Sequence, residues 1–218
     1  YEMLRSPRGL GDVYKRQVLD GADMALGFHN YPEVPVGRFC YVHGVANGSS
    51  DDFDIVLQGR SGHAASPHQT ADPIVAAAHL VLQIQTIVSR EVDPMLPAVV
   101  TVGALLAGDT HNIIPERAVL RGTARTQSDA ARATIEAALR RLCAGIEASM
   151  RVSATLDWQP GTPCLTSDAD ILAATVGAVE AHYGAVADEK PADLGAEDFA
   201  FVSVSYTHLR AHETPEHL

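Results

Sequence analysis

Two stretches of the chain alternate hydrophobic and polar positions, two more are rich in β-branched residues, and all four have the length of a strand. In the first stretch, Phe53, Ile55 and Leu57 alternate with polar or charged residues. A period of two is typical of a strand that buries one face and exposes the other. The pattern therefore predicts four strands, at residues 52–58, 98–106, 117–126 and 152–158.

Apolar residues recur every three or four positions in two further stretches, which predicts two amphipathic helices. We expect the first helix from Asp72 to about Ser89, because an aspartate followed by a proline suits the N-cap and the first helical position. We expect Ser128 to cap the second helix. The predicted apolar stripes are Ile74, Ala77, Ala78, Val81, Ile84 and Val88 on the first helix, and Ile135, Leu139, Leu142 and Ile146 on the second.

The order of these elements is β-α-β-β-α-β, which is typical of the α+β, ferredoxin-like fold. In that fold a four-stranded antiparallel sheet carries both helices on one face. The flanks are organised differently: residues 19–44 are rich in Gly and Pro, with a short strand predicted at 24–28, and a third helix is predicted from Ser167 or Asp168 to near Gly184. The sequence therefore predicts a domain at residues 48–160 inserted into a second domain, which is formed by residues 18–47 and 161–203.

Both ends of the chain differ in character from the rest. Residues 1–17 and 204–218 lack an apolar period and resemble translated sequencing-adapter read-through. We therefore predict that both are non-native extensions. For the same reason, the histidines near the C-terminal end are not interpreted as a metal site.

Composition limits the function further. The 218-residue chain has a net charge of −11, which disfavours nucleic acid and anionic membranes as partners. No apolar run approaches the roughly 18 to 20 residues needed to cross a bilayer. Three widely spaced cysteines, Cys40, Cys143 and Cys164, form no CxxC pair, so we expect reduced thiols and a cytoplasmic location.

Residues 59–73, between the first predicted strand and the first predicted helix, contain the largest number of candidate functional residues. The junction contains two histidines, His63 and His68, together with Gly59 and Gly62, and it leads into the first helix. Glycine allows the backbone to turn sharply or to approach another surface closely. A histidine held there could take part in a reaction, although a single loop histidine is more often a polar surface residue.

Six segments of the chain carry motifs in a defined order and spacing. They are residues 26–32 (LGFHNYP), 59–73 (GRSGHAASPHQTADP), 82–94 (LQIQTIVSREVDP), 107–115 (AGDTHNIIP), 121–126 (RGTART) and 195–199 (GAEDF). Together these segments resemble the M20 metallopeptidase family, and they are most similar to its amidohydrolase branch, which includes hippurate hydrolases, N-acyl-amino-acid deacylases and plant auxin-conjugate hydrolases. The resemblance covers essentially residues 18–203.

This resemblance implies an enzyme in which a lid or dimerisation domain is inserted into an α/β, metallo-aminopeptidase-like catalytic domain. Two divalent ions, whether zinc, manganese, cobalt or nickel, would activate a water that attacks the amide carbonyl of an N-acyl or N-aroyl amino acid. The resemblance also implies a homodimer that forms through the lid. Of the expected metal ligands only His29 is present, so we expect the chain by itself to be inactive.

The resemblance assigns roles to three further residues. His63 matches a lid histidine that donates to the oxyanion in the partner's active site, Asn112 matches an amide that contacts substrate, and Arg125 suits capture of a substrate carboxylate. Without the resemblance, His63 could simply cap a loop, Asn112 could be a turn residue, and Arg125 could be a solvated residue at a strand end. The roles of His68, Glu197 and Asp198 stay open.

Two other functions remain as alternatives. The chain could be a dimerisation and lid module without catalysis of its own. It could instead be a freestanding ferredoxin-like ligand-binding regulator, although that function would leave both flanks without a purpose.

Overall fold

The computed structural model describes residues 24–203, so both predicted extensions, 1–17 and 204–218, lie outside the described residues. Within the described range, the chain divides into two compact units. One unit is Ser49–Pro160, and the other consists of the described residues on either side of it. Their assignment to a lid and a catalytic domain stays a prediction. No helix in the described range is long and apolar enough to cross a membrane.

The predicted helices and strands of the central unit are present with nearly the predicted bounds. In chain order, the elements of the described residues are β1 (Phe39–Tyr41), β2 (Val45–Asn47), β3 (Asp51–Gln58), β4 (Gly62–His63), a 3₁₀ turn (Pro67–Gln69), α1 (Pro73–Arg90), β5 (Ala98–Ala107), β6 (Ile113–Ile114), β7 (Arg117–Thr126), α2 (Asp129–Met150), β8 (Ser153–Pro160), β9 (Leu165–Thr166), α3 (Ala169–Tyr183) and β10 (Ala187–Glu189).

The sheet of the central unit has the order β5-β7-β3-β8, and every neighbouring pair is antiparallel. This order confirms the predicted ferredoxin-like fold. At one end of β3, Asp51 pairs with Ala124 of β7; at the other end, Gln58 pairs with Arg117. The chain enters and leaves the unit at the Asp51 end, because Asp51 also pairs with Pro160.

Side chains from one face of the sheet form the core with α1 and α2. Phe53, Ile55 and Leu57 of β3 are fully buried, as their alternation predicts. The predicted stripe of α1 was wrong in part, because Ile74 is exposed. The helix is apolar on most of its circumference, so the periodicity did not define one face and the contact with the sheet selects it. The buried residues of α1 are Pro73, Ala76, Ala77, Leu80, Ile84 and Ile87.

The three helices begin at the capping residues that the sequence predicts. The Asp72 carboxylate accepts the N–H groups of Ile74 and Val75 at 2.8 and 3.3 Å, and Ser128 and Asp168 cap α2 and α3 in the same way. These bonds satisfy N–H groups that have no partner within the helix.

The flanking unit contains two short strand pairs and α3. β1 pairs with β10 in parallel, and β2 pairs with β9 in antiparallel orientation. The predicted strand at residues 24–28 was wrong, because this segment belongs to no ladder. Met24, Leu26 and Phe28 do line one side of a groove against α3, which explains the alternation. A strand also needs a hydrogen-bonded neighbour, and the segment has none among the described residues.

Candidate functional site

His63 and Asn112 lie on two chain segments that pair with each other at one end of the central unit. Gly62 and His63, which form β4, pair in antiparallel orientation with Ile114 and Ile113 of β6. The N–H of Ala64 donates to the carbonyl of Asn112 at 3.0 Å, which extends the pairing by one residue. We call the two paired segments, one with His63 and the other with Asn112, the His63–Asn112 edge. Both residues are exposed.

Close backbone packing holds the loop of the His63–Asn112 edge. Arg60 and Ala71 exchange two backbone hydrogen bonds of 2.9 and 3.1 Å, which close the loop. A Cβ atom on Gly59 would lie 2.1 Å from the carbonyl oxygen of Ala71, and one on Gly62 would lie 2.6 Å from Cγ2 of the buried Thr70. Only glycine permits such an approach. The loop therefore presents His63 from a tightly packed base.

Local hydrogen bonds orient both side chains of the edge. The backbone N–H of Ala65 donates to Nδ1 of His63 at 3.1 Å. The hydroxyl of Thr110 donates to Oδ1 of Asn112 at 3.2 Å. Each side chain therefore uses an acceptor atom within its own loop.

Arg125 lies at the other end of the central unit, in the four-stranded sheet. It belongs to the last rungs of β7 and pairs with Val99 of β5, next to the rung at which Asp51 pairs with Ala124. Gln58 lies seven positions after Asp51 in β3, and the chain then leads to His63, so the two ends of the sheet are roughly 23 Å apart. The structure therefore does not bring Arg125 together with the His63–Asn112 edge.

In the flanking unit, His29 lies against an acidic residue. Its Nε2 atom contacts Oε2 of Glu197, and the histidine side chain remains 62% exposed whereas that of Glu197 is 17% exposed. The backbone N–H of Phe199 donates to the other carboxylate oxygen, Oε1, at 3.2 Å. Burial acts to raise the pKa of Glu197, but hydrogen bonds from Phe199 and Asp198 and the neighbouring His29 outweigh it, and the net pKa is below its ordinary value. An ionised carboxylate therefore faces the imidazole.

Neighbouring residues hold this contact in place. A Cβ on Gly27 would lie 3.3 Å from the Phe199 ring, so the glycine allows the segment before His29 to lie close to the segment of Glu197. The Tyr31 ring lies 5.7 Å from the imidazole and carries the ammonium group of Lys190 at 3.7 Å from its centre. A cation over a tyrosine face is attracted by the ring quadrupole.

The two expected metal ions require more ligands than this contact supplies. Across residues 24–203, no group of three or more His, Cys, Asp or Glu side chains is arranged to hold a metal ion. His29 and Glu197 are of suitable ligand types, and a carboxylate beside a histidine is a common feature of metal centres. The chemistry of His29 and Glu197 therefore fits part of a metal site, and further ligands would be needed to complete it.

Sequence reasoning missed the partners that orient these side chains. Glu197 was recognised only as half of an acidic pair, although its position just before Phe199 and a helical turn was a signal that it could cap that turn. Thr110 and Asn112 are two residues apart, a spacing at which hydroxyl and amide groups often bond locally. His68 lies exposed in the 3₁₀ turn, and the structure assigns it no role.

The sequence of this chain is similar to one family model and to two bacterial proteins. Residues 45–150 match the family model of the peptidase dimerisation domain. The chain is 36% identical to the N-acetylcysteine deacetylase of Bacillus subtilis (strain 168) over 194 residues, which cover 88% of this chain and 50% of that protein. It is 40% identical over 136 residues to the N-acetyldiaminopimelate deacetylase of Bacillus cytotoxicus, covering 62% of this chain and 36% of that protein.

A solved structure shows the same similarity in three dimensions. The YXEP protein of Bacillus subtilis, a dinuclear metal-binding peptidase from the M20 family, superposes with a TM-score of 0.72 and 30% identity. The alignment covers 88% of this chain and 48% of that one. The chain thus spans half or less of the length of these relatives.

Proposed function

Because the chain belongs to the M20 metallopeptidase family, as its motifs indicated, we propose that it contributes to a metal-dependent amidohydrolase. The substrate class is N-acyl or N-aroyl amino acids, and the reaction is hydrolysis of the amide bond. Two relatives that remove acetyl groups from amino acids support this substrate class.

The observation that carries the proposal is the His63–Asn112 edge. When water attacks an amide, the carbonyl oxygen gains negative charge, and hydrogen-bond donors placed at that oxygen stabilise the transition state. An imidazole N–H and an amide NH2 are suitable donors. Both side chains are exposed, and backbone pairing joins the two segments that carry them, so we expect both to contact one bound substrate.

His29 would bind one of two divalent ions in the complete site. Such ions lower the pKa of a bound water and polarise the amide carbonyl. Glu197 contacts one ring nitrogen of His29, so we assign it the role of orienting the imidazole, with the other nitrogen as the ligand atom. Zinc, manganese, cobalt and nickel suit histidine and carboxylate ligands in varying degree.

The partner is a second copy of the chain, which binds through the α1 and β5 side of the central unit. Every large hydrophobic residue that is exposed in this unit lies on that side or in the adjoining loops, and none lies on α2 or β8. β5 is also an edge strand, with backbone groups that are available to a partner. The exposed residues are Ile74, Val75, Leu82, Met95, Val99, Leu105, Leu106 and Ile113.

A dimer of this kind explains the separation of the site residues. Arg125 lies at the end where its own chain enters and leaves the central unit, whereas His63 and Asn112 lie at the far end. We assign Arg125 to the active site of its own protomer, where its guanidinium would bind the substrate carboxylate. His63 and Asn112 would serve the partner's site.

One observation favours a second function for the chain as it stands. Since no cluster of three metal-binding side chains occurs in residues 24–203, this chain alone could act as a dimerisation and lid module. Its cysteines, Cys40, Cys143 and Cys164, are thiols and not disulfides, which is consistent with a cytoplasmic location in either case.

Hydrolysis assays test the proposal. N-acetylcysteine and N-benzoylglycine are offered, with zinc, manganese or cobalt, to this chain and to a longer chain that includes the flanking genomic sequence. We expect activity from the longer chain alone, and we expect His29→Ala to abolish its activity and reduce its metal content. Activity in the short chain would contradict the assignment of the missing ligands, and an inactive but metal-loaded longer chain would refute the proposed reaction.

A further inference from the structure

In both side-chain hydrogen bonds of the His63–Asn112 edge, the candidate side chain is the acceptor. In each case a group of the loop donates, and the acceptor atom of the candidate side chain receives: Nδ1 of His63 from the Ala65 N–H, and Oδ1 of Asn112 from the Thr110 hydroxyl. Both donors lie within two residues of the side chain that they contact. The edge therefore carries its own orienting groups.

We propose that the Ala65 amide and the Thr110 hydroxyl are positioning groups that make His63 and Asn112 a pair of hydrogen-bond donors. A neutral imidazole has one protonated and one bare nitrogen, so a ring that accepts at Nδ1 carries its proton on Nε2. An asparagine that accepts at Oδ1 has its NH2 group left to donate. The outward atoms of both side chains are then N–H donors.

A donor pair of this kind defines the class of group that it can bind. It fits an oxygen acceptor, such as a carbonyl oxygen or an oxyanion, and it offers no acceptor to an ammonium or hydroxyl group. A neutral ring is sufficient, because the bonds fix the tautomer without a charge on the imidazole. That the acceptor is the scissile carbonyl of an N-acyl amino acid rests on the proposed function.

The surrounding backbone holds the segments of the two donors together. The ladder between β4 and β6 sets their spacing, and the Ala64 N–H bonds to the Asn112 carbonyl at 3.0 Å. Gly62, immediately before His63, packs against the buried Thr70, so the turn that presents the Ala65 amide cannot easily shift. Donors fixed before the substrate arrives need no reorganisation when charge develops.

The first test uses nuclear magnetic resonance on this chain with ¹⁵N-labelled backbone and histidine rings. We expect a nitrogen–nitrogen coupling across the hydrogen bond between Ala65 and Nδ1 of His63, and ring shifts of a single Nε2–H tautomer. The His63→Gln variant identifies the signals. His79, exposed on α1, is the control and should show a mixture of tautomers. A missing coupling, or a His63 ring protonated mainly on Nδ1, would overturn the assignment of Ala65.

The second test concerns Thr110 and compares Thr110→Val with Thr110→Ser. Valine has a similar shape without the hydroxyl, and serine keeps the hydroxyl. We expect the Asn112 side-chain NH2 signals to shift and to report greater motion in Thr110→Val, and to remain near wild type in Thr110→Ser. Unchanged signals in Thr110→Val would remove Thr110 from the proposal.

These readouts are independent of catalysis, so the two proposals can fail separately. If the coupling and the tautomer are observed but the longer chain hydrolyses no N-acyl amino acid, the donor pair stands and the proposed reaction falls. If the longer chain is active, we expect Thr110→Val to lower kcat about 10-fold with little change in KM, because the donors act most strongly on the transition state.

Discussion

His63 and Arg125 lie towards opposite ends of the central unit, because His63 follows the Gln58 end of β3 and Arg125 lies at the Asp51 end. The pairing of Gln58 with Arg117 marks the end nearer His63, and the pairing of Asp51 with Ala124 marks the end of Arg125. The roughly 23 Å between these two ends of β3 exceeds the length of an N-acyl amino acid. The two residues can contact one substrate molecule only if they come from different protomers.

The first prediction follows from this separation and uses mixed dimers of the longer enzyme. We expect His63→Ala and Arg125→Ala to be nearly inactive alone. In a random mixture, half of the dimers are hybrids with one intact site, so about one quarter of wild-type activity should return. No recovery in verified hybrids would show that both residues serve the same protomer. Arg117→Ala, at the other end of the same strand, is the matched control and should remain active.

The second prediction concerns the dimer interface. Leu82 is 70% exposed on α1, so Leu82→Glu should leave the folded protomer stable. A glutamate buried at the interface would lack a partner and should raise the dimer Kd by roughly 10-fold or more. Sedimentation measures the change. The control is Ala148→Glu on the exposed side of α2, which should not alter the Kd.

The third prediction concerns the glycine at the base of the His63 loop. Gly59→Ala would place a Cβ 2.1 Å from the Ala71 carbonyl oxygen, so the backbone pair between Arg60 and Ala71 must shift. We expect a loss of about 2 kcal/mol in the free energy of unfolding, measured by urea denaturation. Gly145→Ala, in α2 with no atom within 4 Å of the new Cβ, should instead stabilise by about 0.5 to 1 kcal/mol. Equal effects of both changes would refute the close packing.

The fourth prediction concerns the ion pair between Asp51 of β3 and Arg132 of α2. The Asp51 side chain is fully buried, and Nε of Arg132 donates to its Oδ2 atom at 2.7 Å. Arg132→Met removes the guanidinium from a buried carboxylate, which should cost about 3 kcal/mol. The double change Asp51→Leu with Arg132→Met should recover much of that loss, because no charge remains buried. A double variant no more stable than the single one would contradict this explanation.

The fifth prediction concerns the buried thiol of α2. Burial raises the pKa of Cys143 to about 11, with a smaller contribution from Glu147 and an opposing one from Arg140. At pH 8 its thiolate fraction should be roughly 100-fold below that of an ordinary thiol, so iodoacetamide should modify it far more slowly than the exposed Cys40. Mass spectrometry of the modified peptides measures both rates.

The same shift has a defined sign for stability. The folded state holds the Cys143 proton more tightly than the unfolded state, so the contribution is complete below the ordinary pKa of 9.0. It is lost as pH rises from there towards 11, because only the unfolded state then releases the proton. Cys143→Ala should lack this loss, and a variant whose stability falls equally over that range would contradict the assignment.

The sequence alone determined the elements of the central unit. Strand alternation around Phe53, caps at Asp72 and Ser128, and the order of elements depend on neighbours close in the chain, and these signals were sufficient for the ferredoxin-like fold. Motif order was likewise sufficient for the family, since it is a property of the chain and not of its packing.

Only the tertiary structure decided what depends on distant contacts. The buried face of α1 was decided by the sheet, because the helix is apolar on several sides, and residues 24–28 formed no strand, because a ladder needs a partner. The contact of His29 with Glu197 joins residues far apart in sequence. The separation of His63 from Arg125 followed from the pairing of β3 with β7, because register depends on how two strands that are distant in sequence bury a common face.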